Sequence, residues 1–103
     1  MQVELTANGT TAFYVREGLW RVELLGTVDT STTITLKSGP SSDGSDHVTI
    51  LDDLGANMVW NASGGPKPQF AKGSGYFSAV VANYDASANL VLIFRKASPS
   101  SME

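Results

Sequence analysis

The sequence predicts an all-β fold: an antiparallel two-sheet β-sandwich, jelly-roll-like, with about eight strands. Three observations lead to it. Apolar and polar residues alternate with a period of two along most of the chain, the pattern of strands with one buried and one solvated face. Turn chemistry recurs between those runs, at Asn8-Gly9, Glu17-Gly18 and Ser63-Gly64-Gly65-Pro66. Charged residues make up only 17% of the 103 residues, below the usual ~25%. Ser, Thr and Asn fill the gap, which suits half-exposed strands better than solvated helices.

The elements follow in order. Val3 and Leu5 alternate with Gln2 and Glu4 in a first strand, closed by Asn8-Gly9. Residues 12–15 form a second, ended by Glu17-Gly18. Over 19–25, Trp20, Val22 and Leu24 share one face and Arg21 and Glu23 the other, which assigns Trp20 to the core. Residues 26–31 are a turn region. In 32–37, Ile34 and Leu36 point inward while Thr33, Thr35 and Lys37 point outward. Residues 38–46 carry Gly, Pro, Asp and Ser with nothing to bury, so they form a surface loop. Residues 47–51 and 57–62 are short strands, Met58 and Trp60 sharing one face and Val59 taking the other. Residues 63–68 are a second irregular loop, with Phe70 anchoring the chain after it. Residues 75–84 and 89–96 are long strands. The chain is one domain over 1–97 with a polar C-terminal tail, 98–103.

A faint repeat runs through this pattern. An offset of 57 residues matches Phe13 with Phe70, Gly18 with Gly75, Trp20 with Phe77, Val22 with Ala79, Leu24 with Val81, Ile34 with Val91 and Leu36 with Ile93. Each half reads as a short strand followed by a long hairpin. Two such hairpins packed face to face would share one core.

The last strand breaks the alternation. Leu90, Leu92 and Phe94 are apolar on one face, and Val91 and Ile93 on the other. Val80, Ala82 and Tyr84 extend the anomaly on the preceding strand. Two accounts fit: a central strand whose outer face is covered by a loop, or a face that meets another chain.

Composition narrows the chemistry. With 0 cysteines there is no disulfide framework, thiolate metal site or cysteine nucleophile. Lys+Arg number 7 against 10 Asp+Glu, a formal charge of -3, with no basic cluster, so nucleic acid is not the expected partner. Residues 1–5 lack the basic and apolar regions of a signal peptide, and the longest apolar run, 90–94, is too short to span a bilayer. The one histidine, His47, follows Ser45-Asp46, but no Gly-x-Ser-x-Gly elbow frames a nucleophile. A loop-edge role competes with a catalytic one. Asp43, Asp46, Asp52 and Asp53 invite a calcium reading, yet their spacing departs from an EF-hand loop and reads equally as turn-forming Asp. No catalytic residue, metal ligand or cofactor is expected. Trp60, Tyr76 and Tyr84 are the aromatics that could stack on sugar rings, with Trp60 also fitting a core position beside Met58.

The stretch Gly18-Leu19-Trp20-Arg21-Val22-Glu23-Leu24-Leu25-Gly26-Thr27, then Thr33-Ile34-Thr35-Leu36-Lys37-Ser38 and the Asp-Gly-containing loop, resembles small β-sandwich virion proteins of tailed bacteriophages. The second half repeats the style in Gly75-Tyr76-Phe77-Ser78-Ala79-Val80-Val81 and Leu90-Val91-Leu92-Ile93-Phe94. Ser78-Ala79 and the long loop after Ser38 depart from that pattern. The resemblance implies a non-enzymatic virion structural protein, foremost a capsid decoration (cement) protein binding the major capsid protein. A neck or tail accessory protein is the alternative within that class, and a carbohydrate- or receptor-binding module the alternative outside it. A homo-oligomer, plausibly a trimer, located in the virion and assembled in the host cytoplasm, goes with the resemblance. The expected contact residues are Met1, Val3, Leu5, Val80, Tyr84, Val91, Ile93 and Met102; Trp60 and Tyr76 carry the sugar-stacking alternative.

Overall fold

The computed structural model describes residues 2–26, 28, 31–51, 55–61, 70–84 and 90–96, with the side chains of 70–74 excepted. The strands are β1 (Gln2–Leu5), β2 (Gly9–Leu25), β3 (Thr33–Gly39), β4 (Val48–Thr49), β5 (Val59–Trp60), β6 (Phe70–Ala82) and β7 (Leu90–Lys96). They form an antiparallel 7-stranded sheet in the order β1-β7-β2-β6-β3-β4, with β5 also paired to β3. The all-β expectation holds. The strands expected at 12–15 and 19–25 are one continuous element of 17 residues, β2, because Glu17-Gly18 produces a bulge and not a break.

That bulge shapes the molecule. Register along β2 and β6 shifts between Val15 and Gly18. Gly18 has φ +151 and Gly75 φ +117, values that glycine alone adopts readily. A straight 17-residue strand would run roughly 55 Å, yet the longest dimension of the fold is 38 Å. Ring contacts show where β2 turns. Phe94 pairs with Val22 on β2, nine positions beyond Phe13, roughly 30 Å away along an extended strand. The Phe13 and Phe94 rings nevertheless meet at 5.6 Å, and Phe94 meets Phe77 of β6 at 6.1 Å. β2 therefore bends at the bulge and brings the β7 side of the sheet over the β6 side.

The core fills the space between. Leu5, Val15, Val22, Ile34, Leu36, Met58, Trp60, Phe77, Ala79, Val81, Leu90, Leu92 and Phe94 are buried together. The alternation of the sequence assigns most of them correctly, since paired strand residues share a face. Trp20 is only partly buried: it packs against Phe94 edge-on at 6.4 Å, donates Nε1–H to the Arg16 carbonyl at 2.9 Å, and lies under Lys96 Nζ at 5.5 Å.

The repeat is present in the topology, with two corrections. Among the described residues the consecutive strands β2 and β3 do not pair, nor do β6 and β7. Instead β3 pairs with β6 and β7 pairs with β2, so the halves are not hairpins. Each half places its second strand against the other half's first, around the central β2–β6 pair. Positive φ recurs 57 residues apart at Gly18 and Gly75, and again at Gly26 and Asn83. The match of β3 to β7 is offset by 58, not 57. Ile34 opposes Val81 and Leu36 opposes Ala79; the equivalents are Leu92 opposite Leu24 and Phe94 opposite Val22. Ile34 thus corresponds to Leu92 and Leu36 to Phe94, not to Val91 and Ile93. Leu24 to Ile34 is a step of 10 positions and Val81 to Leu92 a step of 11, and that single residue decides which side chains of β7 face inward.

Candidate functional site

Three places on the outer surface gather chemistry. The first is the loop after β3, residues 40–47; the surface loop was expected over 38–46 with His47 opening the next strand, whereas Ser38 and Gly39 belong to β3 and β4 starts at Val48. The loop lies across the outer face of the sheet and is fastened by His47, which is buried. The Ser41 carbonyl can only accept, so His47 Nε2 carries the proton and donates to it at 2.8 Å. Nδ1 then accepts from the Ser78 hydroxyl at 2.7 Å. Ser78 is fully buried on β6, so this serine and histidine are closed to a substrate, and the imidazole works as a strut. Gly39 makes the fit possible: a Cβ there would stand 2.7 Å from His47 Cδ2 and 2.9 Å from the Asp46 carbonyl oxygen.

The loop's carboxylates are used internally. Asp43 Oδ1 accepts from the Ser45 amide at 2.9 Å and Asp46 Oδ1 from the Ser41 amide at 3.1 Å. The Ser45 amide, with help from the Ser45 and Ser41 hydroxyls, holds the Asp43 carboxyl down to about 2. Hydrogen bonding from Ser41 lowers Asp46 as well. These are turn-forming aspartates. Among the described residues no group of three His, Asp or Glu is arranged to hold a metal; Asp52 and Asp53 lie outside them.

The second place is an exposed aromatic pair. Tyr14 and Tyr76 face each other across β2 and β6, T-shaped at 5.5 Å, with exposures of 56% and 37%. Gly39 is the next residue in the same row, so no side chain of β3 shields Tyr76. Trp60, the other expected sugar platform, is buried at 6% and offers no ring face to a ligand. Tyr14 was not singled out from sequence, because only the register reveals that it stands beside Tyr76.

The third place is the outer face and rim of the β1-β7-β2 side. Pairing puts Gln2, Ile93 and Glu23 in one row and Glu4, Val91 and Leu25 in the next. Ile93 is buried between its neighbours, Val91 is half-buried and Leu25 is 50% exposed. Arg21 and Arg95 both lie 3.4 Å from the Glu23 carboxylate. The doubly apolar β7 is thus a central strand, and its flanking strands supply the charge that its own outer face lacks. Leu25 escaped notice because it ends its strand next to a glycine.

Where β1 and β7 meet the end of β6, a cleft of about 190 Å³ is lined by Glu4, Leu5, Thr6, Tyr84, Leu90 and Val91. Tyr84 is fixed there: its amide donates to Asn8 Oδ1, while Asn83 Nδ2 donates to the Ser31 carbonyl at 3.0 Å and Thr32 donates to the Asn83 carbonyl. The structure therefore brings Leu5, Tyr84 and Val91 of the expected contact residues to one place. Leu5 lies beneath it, buried at 1%. Val3 packs inward against the core, so β1 shows Gln2 and Glu4 outward. Val80 is half-buried in a row between Thr10 and Thr35, away from the cleft. Met1 and Met102 lie outside the described residues. No protein-family model, curated protein or solved structure matches the chain.

Proposed function

We propose that the chain is a non-enzymatic structural protein of a bacteriophage virion: a decoration protein that binds the major capsid protein, built as a two-sheet β-sandwich of jelly-roll type. The resemblance in residues 18–38 and 75–94 is the source of that reading. The observation that carries it onto the fold is the row Glu4–Val91–Leu25 beside the cleft. There an apolar patch meets β1, which among the described residues pairs with β7 alone, and an edge strand suits pairing with a partner. A homo-oligomer, such as a trimer on the capsid surface, would use the same edge. A neck or tail accessory role draws on the same surface at another location.

Co-sedimentation with virus particles lacking the protein tests the reading. The wild-type chain binds. Val91→Asp places a second carboxylate beside Glu4, keeps the fold and loses binding. Unchanged particle binding by a folded Val91→Asp chain would exclude this surface, and no binding by wild type would sink the function.

The exposed Tyr14–Tyr76 pair favours a second reading, a carbohydrate- or receptor-binding module in which Tyr76 is the stacking platform. Reproducible signals on a glycan array, lost in Tyr76→Ala, would support it over capsid binding.

A further inference from the structure

We propose that the cleft at the β1–β7 rim receives an arginine side chain presented by a partner protein. This goes beyond the virion reading and holds whatever the partner's identity. Size sets the first limit. About 190 Å³ falls below the roughly 300–1,000 Å³ of small-molecule sites and suits one long side chain. The lining sets the second. Half-buried Val91 and Tyr84 give the cleft apolar surface, while Leu5 and Leu90, each 1% exposed, close it from beneath. Glu4, Thr6 and Tyr84 form a polar rim on the same cleft.

Charge complementarity identifies the occupant. Glu4 is exposed and makes no ion pair among the described residues. The described cations near other groups are committed elsewhere: Arg21 and Arg95 to Glu23, and Lys96 over Trp20. The chain as a whole carries -3. An anionic side chain would be repelled by Glu4, and a wholly apolar one would strip water from that carboxylate without replacing it. A cation on an aliphatic stem meets both demands. Arginine fits better than lysine. Its planar guanidinium can lie against the Tyr84 ring while its fork of donors meets a carboxylate. Asn8 and the Asn83 clasp hold the backbone at Tyr84, which limits the main-chain ordering left for binding.

The test is an NMR titration of the ¹⁵N-labelled chain at low salt. The probes are capped pentapeptides Gly-Ser-Xaa-Ser-Gly with Xaa arginine, lysine or citrulline. The arginine peptide should shift the amides of Glu4, Thr6, Tyr84 and Val91. Citrulline, which keeps the shape without the charge, should bind about fivefold more weakly, the scale of an exposed ion pair. Glu4→Gln, an exposed change that leaves the fold intact, should erase the arginine–citrulline difference. Equal affinity for citrulline, affinity for lysine matching that for arginine, shifts centred on Tyr14 and Tyr76, or no shift at saturating peptide would each overturn the proposal. Because the isolated chain is titrated, the outcome is separate from whether the chain sits on a virion.

Discussion

The bend in β2 can be measured through one pair of rings. Phe13 and Phe94 lie on strand segments that only a folded-over sheet brings together, with ring centroids 5.6 Å apart and planes at 69°. Edge-to-face aromatic pairs contribute about 0.5–1.5 kcal/mol beyond the area they bury. In a cycle of Phe13→Leu, Phe94→Leu and the double variant, leucine keeps most of the core volume and limits collapse of the fold. The two single losses should exceed the loss of the double by about 1 kcal/mol. Urea unfolding followed by the fluorescence of Trp20 and Trp60 reads this. For a chain of this size the slope is about 1–3 kcal/mol per molar urea, so the coupling appears as a midpoint discrepancy of about 0.5 M. Phe94→Leu combined with Tyr76→Leu is the control, since Tyr76 faces outward and away from the core; those losses should add within about 0.3 kcal/mol. A Phe13–Phe94 coupling no larger than the control's would refute the bend.

Other outcomes follow from the same geometry. His47→Ala removes the acceptor of the buried Ser78 hydroxyl, and should cost about 1–3 kcal/mol by urea unfolding; a loss under ~0.5 kcal/mol would show that the loop is not fastened there. Gly39→Ala drives a methyl against His47 and the Asp46 backbone, and should cost about 1–3 kcal/mol and raise hydrogen exchange at Ser41 and His47; wild-type exchange would contradict the close approach. The Asp43 carboxyl should titrate near 2 by NMR. Its folded value is depressed, so its contribution to loop order is present above the ordinary carboxylate range and is lost as pH falls from about 4 through about 2. A midpoint near 4 would mean that the Ser45 amide does not hold it. Leu25→Asp, at a residue 50% exposed, should leave thermal stability within about 0.5 kcal/mol and, like Val91→Asp, abolish particle binding; binding retained by both would move the contact elsewhere.

Strand identity was legible because burial and period-two alternation are the same fact seen twice. Ile34, Leu36, Met58 and Trp60 are buried where the pattern puts them. Pairing was not legible. The pattern says which face of β3 is inward but not which strand lies beside it; the pairing puts β6 there. The repeat was visible in β2 and β6, whereas in β3 and β7 the apolar residues on both faces of β7 allowed either offset. Only the register shows Leu92 and Phe94 as the inward set.

The candidate site was legible in part. Tyr84 and Val91 stood out as apolar residues on a nominally outer face, and both line the cleft. Glu4 drew no notice, since one carboxylate on a strand near a terminus has no local signature. The doubly apolar last strand suggested an outer face that meets another chain. In the fold Arg21, Glu23 and Arg95 occupy much of that face, and its uncharged part contracts to Val91 and Leu25 beside Glu4. His47 was invisible as a strut because its partner Ser78 lies 31 positions away.

Electron cryo-microscopy of particles assembled with and without the chain, under otherwise identical conditions, tests the central claim most directly. The account predicts density for the chain at regular positions on the capsid exterior, with the β1–β7 edge against the capsid protein, absent from particles made without it. Identical particle maps, or contacts made through the β4 edge or the Tyr14–Tyr76 face, would contradict it.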